Sequence, residues 1–250
     1  MIPRTEYLSL AALRMAASGV SDDPAIVAHW LYRFGTVPRG PAVDRDFGPD
    51  DDPMAVLGMT VGGRARRLLE TAYEATSLPG WYSFARAGTP VQVSAACKLY
   101  VSPRLEEMAD AFPVLVDDLV RFEVRSFKVG RGIEGLSRPD KIIVYFDDHA
   151  EMNAVSASLL HSLDGCAAQG VPFTADAGGN GLLSSGVDPP LGVPATSWRA
   201  WVTRRLAASL TARHRTPADP VARALADIRR AGVDEHWVPT ADAFRGEDPS

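Results

Sequence analysis

Lysine is nearly absent from this chain: the basic residues number 26, yet Lys98, Lys128 and Lys141 are its only lysines, and the rest are arginines. An arginine stays charged and cannot act as a base near neutrality, whereas a lysine loses its proton when it is desolvated or set beside another cation. Chemistry that needs an amine is therefore confined to one central block. Cysteine is scarce too. Cys97 and Cys166 are too few and too far apart for a disulfide framework or a four-ligand zinc site, and they read as small buried hydrophobes. No apolar run is long enough to span a bilayer, and the first residues lack the basic, apolar, small-residue order of a secretory signal. A cytoplasmic protein without membrane association is expected. The net charge of -5 leaves no whole-protein footprint for nucleic acid, so any anion site must be local.

What is present is a chain of 250 residues, 46% of them hydrophobic, which suffices for a well-packed core with a subsidiary element. Apolar residues at helical spacing predict helices over Glu6 to Ala17 and Pro24 to Phe34, with Ser21, Asp22 and Asp23 as capping groups before Pro24. Val37 to Pro53, rich in Gly, Pro and Asp, reads as an exposed loop. Strands are expected at Val91 to Val93, Cys97 to Val101, Phe122 to Val129 and Lys141 to Phe146. Between them, Leu105 to Val120 reads as helix with a break or fresh start at Pro113, and Gly130 to Pro139 as a turn. A long helix over Ala150 to Gln169, a loop over Gly178 to Pro194, and arginine-rich helices over Ser197 to Arg213 and Asp219 to Ala231 complete the pattern. It is an α+β arrangement.

Two candidate motifs fail on physical grounds. Gly130 to Gly135 has the spacing of a dinucleotide fingerprint, but Pro139 and another strand follow where a phosphate-binding helix should run. Asp147, Asp148 and His149 are adjacent, point in different directions, and suit a turn capping the next helix better than a metal site. No metal is expected. His161 falls in an apolar helical run and reads as a core or boundary residue, while His29, His214 and His236 show no partner in the sequence.

The lysines are more informative. On a strand through Lys98 to Ser102, alternation places Lys98, Tyr100 and Ser102 on one face and Leu99 and Val101 on the other. On the next strand Lys128 shares a face with Phe122, Val124 and Ser126, an apolar setting that lowers an amine pKa when a second cation is close. A strand-end lysine reaching solvent fits the sequence equally well.

The run Lys98-Leu99-Tyr100-Val101-Ser102, then Phe127-Lys128-Val129, then Arg138 to Tyr145, and finally Ser197-Trp198-Arg199 resembles the lyase core of the Hop A-type effector family. That family includes the lyase subunits of class V lanthipeptide and thioamitide synthetases and is distantly similar to type III effector phosphothreonine lyases. The resemblance covers roughly Pro24 to Leu210. It implies metal-free β-elimination of phosphate from phosphoserine or phosphothreonine in a ribosomal precursor peptide, leaving dehydroalanine or dehydrobutyrine. By that resemblance Lys128 is the base and Lys98 stabilises developing negative charge. Tyr100 stands where the phosphothreonine lyases have a histidine acid, and a phenol with a pKa near ~10 is a weaker acid than imidazolium. Arg199 and Arg138 are expected to clamp the phosphate, with Lys141 as a third candidate and Arg131 and Arg125 unranked, since guanidinium matches phosphate oxygens bidentately. A separate Ser/Thr kinase is the expected partner because the chain has no kinase pattern of its own.

The resemblance also implies a twisted antiparallel sheet as the lyase core over residues 81–215, after a helical region over 1–80 and before a C-terminal helix and tail over 216–250. Two other readings share these residues: a non-catalytic subunit binding the precursor or the kinase, and an effector acting on host proteins.

Overall fold

The computed structural model describes residues 2–46, 54–89, 97–190, 196–212 and 219–240. In chain order the elements are α1 (Arg4–Ala17), α2 (Pro24–Arg33), α3 (Pro41–Asp46), α4 (Arg64–Ala72), β1 (Glu74–Leu78), β2 (Trp81–Ala85), β3 (Cys97–Val101) and α5 (Met108–Arg121). They continue with β4 (Ser126–Gly130), α6 (Gly132–Leu136), β5 (Ile142–Phe146), α7 (His149–Ser162), β6 (Ala175–Asp176), β7 (Leu183–Gly186), α8 (Trp198–Thr211) and α9 (Pro220–Arg230). The strands make one antiparallel sheet in the order β1-β2-β4-β5-β3-β7-β6, the α+β architecture expected.

Alternation divides the sheet into two faces. Leu99, Val101, Phe127, Val129, Val144 and Phe146 point to the larger core, where α4, α5 and α7 cover them. Phe127 is its centre, stacked on Phe84 at 4.8 Å and meeting Tyr73 edge-on at 5.1 Å. Truncating such a buried aromatic costs about 3–5 kcal/mol. A second core joins α1 and α2 to α8 and α9 around Leu13, Leu31, Trp198 and Val202. The two ends of the chain therefore pack together, and the expected divisions at 80 and 215 do not follow the cores. Moreover β1 lies inside the stretch expected to be helical.

Helix starts follow the capping residues in the sequence. Asp23 accepts from the Ala25 N–H at 2.7 Å, Asp148 from Glu151 at 2.8 Å and Asp219 from Val221 at 2.9 Å, with Pro24 and Pro220 in the first turns of α2 and α9. Asp148 is thus a cap, and among the described residues no cluster of three His, Cys, Asp or Glu could hold a metal ion.

Several expectations need correction. Pro113 lies inside α5 and does not break it. The Ala109 carbonyl, four residues earlier, lies against Gly58, whose φ is 69° and where an added Cβ would come within 1.9 Å of that oxygen. The Gly130 to Pro139 turn contains the short α6, and Gly130 packs directly on Gly135, so these glycines serve close backbone approach. The strand predicted from Phe122 starts only at Ser126, because Glu123 turns with φ 54°. A short α3 interrupts the first predicted loop. α7 stops at Ser162, well before Gln169, and His161 on it is exposed. His236 does have a partner, with Nδ1 2.7 Å from Glu6 Oε1. The segment Val91 to Val93 lies outside the described residues.

Candidate active site

Lys98 and Tyr100 of β3, Lys128 of β4, and Ile143 and Tyr145 of β5 project from the sheet face opposite the larger core. Lys128 pairs across with Ile143 and Ile143 with Tyr100, while Tyr145 stands between Ser126 and Lys98. With β5 between their strands and Lys98 two residues off the Lys128–Ile143–Tyr100 row, the two lysines are about 12 Å apart in the backbone. Their side chains close much of that gap over one ring: Lys128 Nζ is 5.7 Å and Lys98 Nζ 5.8 Å from the Tyr145 centroid.

A hairpin absent from the sequence reading completes the Lys128 pocket. β1 and β2 are joined by Pro79 and Gly80, with Gly80 at φ 75°, which suits the second central position of a type II turn. In the register that follows, Ser83 faces Lys128 and Trp81 faces Gly130. Trp81 is the diagonal neighbour of Lys128, and its indole centre lies 4.3 Å from the ammonium nitrogen. Burial pushes the Lys128 amine down from its ordinary value to about 8; Asp140 and Asp188 oppose the shift, while Lys98 and Arg138 add to it. Roughly a tenth of such an amine is neutral at pH 7, against about one part in a few thousand for a free lysine. Lys98 forms an ion pair with Asp188 on the segment after β7.

Beside this pair lies a buried cation cluster built around Asp140. Arg138 donates through Nε to Asp140 Oδ1 at 2.9 Å and through Nη2 to Asp140 Oδ2 at 3.0 Å. The Tyr32 hydroxyl from α2 accepts from Arg138 Nη2 at 2.8 Å and donates to Asp140 Oδ2 at 3.1 Å. Arg199 Nη1 stands 2.9 Å from the same carboxylate oxygen, although its direction does not make a hydrogen bond. Burial by itself would raise the Asp140 carboxyl, but the Arg199 and Arg138 guanidiniums hold it well below the usual range. The Arg138 guanidinium also lies 4.8 Å from the Trp81 ring centre, so the indole contacts both cations. The hydrogen bonds of Arg138 to described residues run through Nε and Nη2, and the side chain keeps 19% of its surface exposed.

The structure brings Lys128, Lys98 and Tyr100 onto one sheet face beside Arg138, sets Arg199 behind Asp140, and places Lys141 elsewhere. Arg199, expected to clamp phosphate, is 1% exposed; it donates to the Pro172 carbonyl at 3.1 Å and the Tyr32 carbonyl at 2.8 Å and so ties Asp140 to α2. Lys141 is fully buried and donates to the Pro103 carbonyl at 2.6 Å and to Gln169 Oε1, again away from an anion site. Burial lowers its amine to about 7. Tyr100 shares the lysine face, but burial first and Asp140 second raise its phenol well above the ordinary value, which weakens it further as an acid. Arg125 pairs with Asp147, and Arg131 with Ser77, both away from the lysines. Trp81, Tyr32, Asp140, Asp188 and Tyr145 escaped the sequence reading. Asp140 alone carried a local signal, since it lies between Arg138 and Lys141 at the mouth of a strand.

No family model matches the chain, and no curated protein matches it. Among solved structures it is similar to an effector protein from Pseudomonas syringae pv. syringae strain 61, at 12% identity, over 93% of this chain and 96% of that one, with a TM-score of 0.54. An effector protein from Pseudomonas syringae pv. tomato strain DC3000 matches at 12% identity over 93% of this chain and 97% of its own, also with a TM-score of 0.54. The type III effector/phosphothreonine lyase OspF from Shigella flexneri matches at 12% identity over 49% of this chain and 75% of its own, with a TM-score of 0.40. Over nearly its whole length the chain shares the fold of the two Pseudomonas syringae effector proteins.

Proposed function

We propose that the protein is a phosphoserine/phosphothreonine lyase that eliminates phosphate from a peptide. The observation that carries this reading is Lys128: an amine lowered to about 8 and set against Trp81 and Tyr145, with Arg138 on the first ring and Lys98 on the second. A base with a pKa near working pH combines a useful neutral fraction with proton affinity. Lys128 Nζ takes the Cα proton, the C–H electron pair forms the Cα=Cβ bond, and the Cβ–O bond breaks with its pair on phosphate. The products are a dehydroamino acid and inorganic phosphate. Lys98 faces the charge that develops toward the carbonyl, and Arg138 Nη1 supplies a cation for the departing phosphate. The phosphate dianion, with a second pKa of about 6, leaves without needing a strong acid, which suits the buried phenol of Tyr100.

The sequence resemblance supports a finer version, in which the substrate is a ribosomal precursor peptide phosphorylated by a separate kinase. The test is mass spectrometry of a synthetic phosphoserine or phosphothreonine peptide, incubated with wild type and with Lys128→Ala. Loss of phosphoric acid with wild type alone is expected. No loss from the cognate phosphopeptide, with the kinase present, would transfer the protein to a second reading, a peptide-binding or effector role, which the likeness to effector folds favours.

A further inference from the structure

Between α2 and α8 runs a cleft of about 510 Å³, walled by Ala25, Ala28, Tyr32 and Ala200, with His29 and Arg204 on its margin. Its volume lies within the roughly 300–1,000 Å³ of small-ligand sites. Two features tie it to the candidate active site and say what it holds. Tyr32 belongs to both: its side chain lines the cleft while its hydroxyl joins Arg138 and Asp140. Trp81 lies 4.3 Å from Lys128 and 4.8 Å from Arg138, and Arg138 bonds the Tyr32 hydroxyl, so the cleft and the lysine pocket are neighbours joined through three side chains. The second feature is charge. His29 and Arg204 are exposed and form no hydrogen bond or ion pair with any described residue, whereas the nearby Asp23 uses its carboxylate to cap α2. The small walls admit a peptide backbone at close range, and the exposed basic side chains suit a carboxylate.

We infer that this cleft holds the extended peptide segment adjoining the phosphorylated residue and favours an acidic side chain there. The inference rests on the lyase reading for the identity of the ligand, and binding measured apart from catalysis separates the two. The probes are fluorescent peptides carrying a non-eliminable phosphonate analogue: a short blocked one, and longer ones with Asp or Ala at flanking positions. Anisotropy titrations compare wild type, Ala25→Trp, which fills the cleft from an exposed position, and Arg204→Glu, which reverses its charge. The long Asp peptide is expected to bind wild type at least tenfold more tightly than the short one. Both variants should remove that gain and leave the short peptide unchanged, and Arg204→Glu should also abolish the preference for Asp over Ala. Equal binding of long and short peptides, or a gain that survives both variants, overturns the inference. Cleft-dependent binding without elimination of the matching phosphopeptide would retain the subsite and defeat the lyase reading, while absence of binding by every peptide defeats both.

Discussion

Lys128 Nζ lies 4.3 Å from the centre of the Trp81 indole, although 46 positions separate them in the chain (128 − 81 = 47, less one) and only the β2–β4 register brings them together. The ring excludes water from one side of the amine, and Lys98 and Arg138 add cationic repulsion, so the environment favours the neutral base.

Replacing Lys128 by alanine is expected to lower the elimination rate by about 10²–10⁴-fold, the usual contribution of a positioned general base. Lys128→Arg should be equally inactive, because it keeps the charge and cannot lose its proton. Activity retained by the arginine variant, measured as phosphate release, would show that the position supplies charge and not a base.

The rate should depend on pH through the same amine. Since the neutral form is active and the pKa is about 8, kcat/KM is expected to rise with pH and level off above about 8. Trp81→Ala exposes the amine to water, which restores part of the ordinary lysine pKa and moves that limb to higher pH. An unmoved limb would assign it to another group.

Tyr100→Phe should reduce kcat less than about tenfold, because the phenol is buried and its pKa is raised, and phosphate departs without a strong acid. A loss of a hundredfold or more in single-turnover elimination would make Tyr100 the acid after all.

Asp140→Asn is expected to destabilise the fold by about 3–5 kcal/mol, since it strands the buried Arg199 charge. In a chain of this size that lowers Tm by roughly 6–20 °C. The depressed carboxyl contributes stability above its unfolded pKa of about 3.9 and loses it as pH falls through the folded value, so the variant should also lose acid sensitivity in that range.

Lys141 has linkage of the same sign in a higher pH window. Its folded pKa of about 7 is below the unfolded value near ~10.4, so the unfolded chain binds the extra proton and stability rises with pH across that interval. Urea melts from pH 7 to 8.5 should show a shallower rise for Lys141→Met than for wild type.

Local chemistry made much of this protein legible from its sequence. Helix starts could be read from Asp23, Asp148 and Asp219 because a cap needs only its own side chain and the next turn. β3 and β5 could be read because Cys97 to Val101 and Ile142 to Phe146 are apolar and β-branched, and period-two alternation put Lys98 and Tyr100 on one face. Scarcity alone drew attention to the lysines. β1, β2, β6 and β7 were missed: each is five residues or shorter, none carries the apolar β-branched run of β5, and each takes its strand geometry from a neighbour. Gly186, for instance, leaves the space that Trp198 and Tyr100 fill.

Which cation could meet a substrate was a tertiary matter. Arg199 and Arg138 have the same side chain, yet packing buries one between Asp140 and two carbonyls and leaves the other 19% exposed. The sequence by itself determined an α+β chain with a lysine-bearing sheet. Only the tertiary structure decided that Lys128 is lowered on the aromatic-lined sheet face while Lys141 is lowered in the interior, because desolvation and charge coupling depend on distances between residues that the chain places far apart.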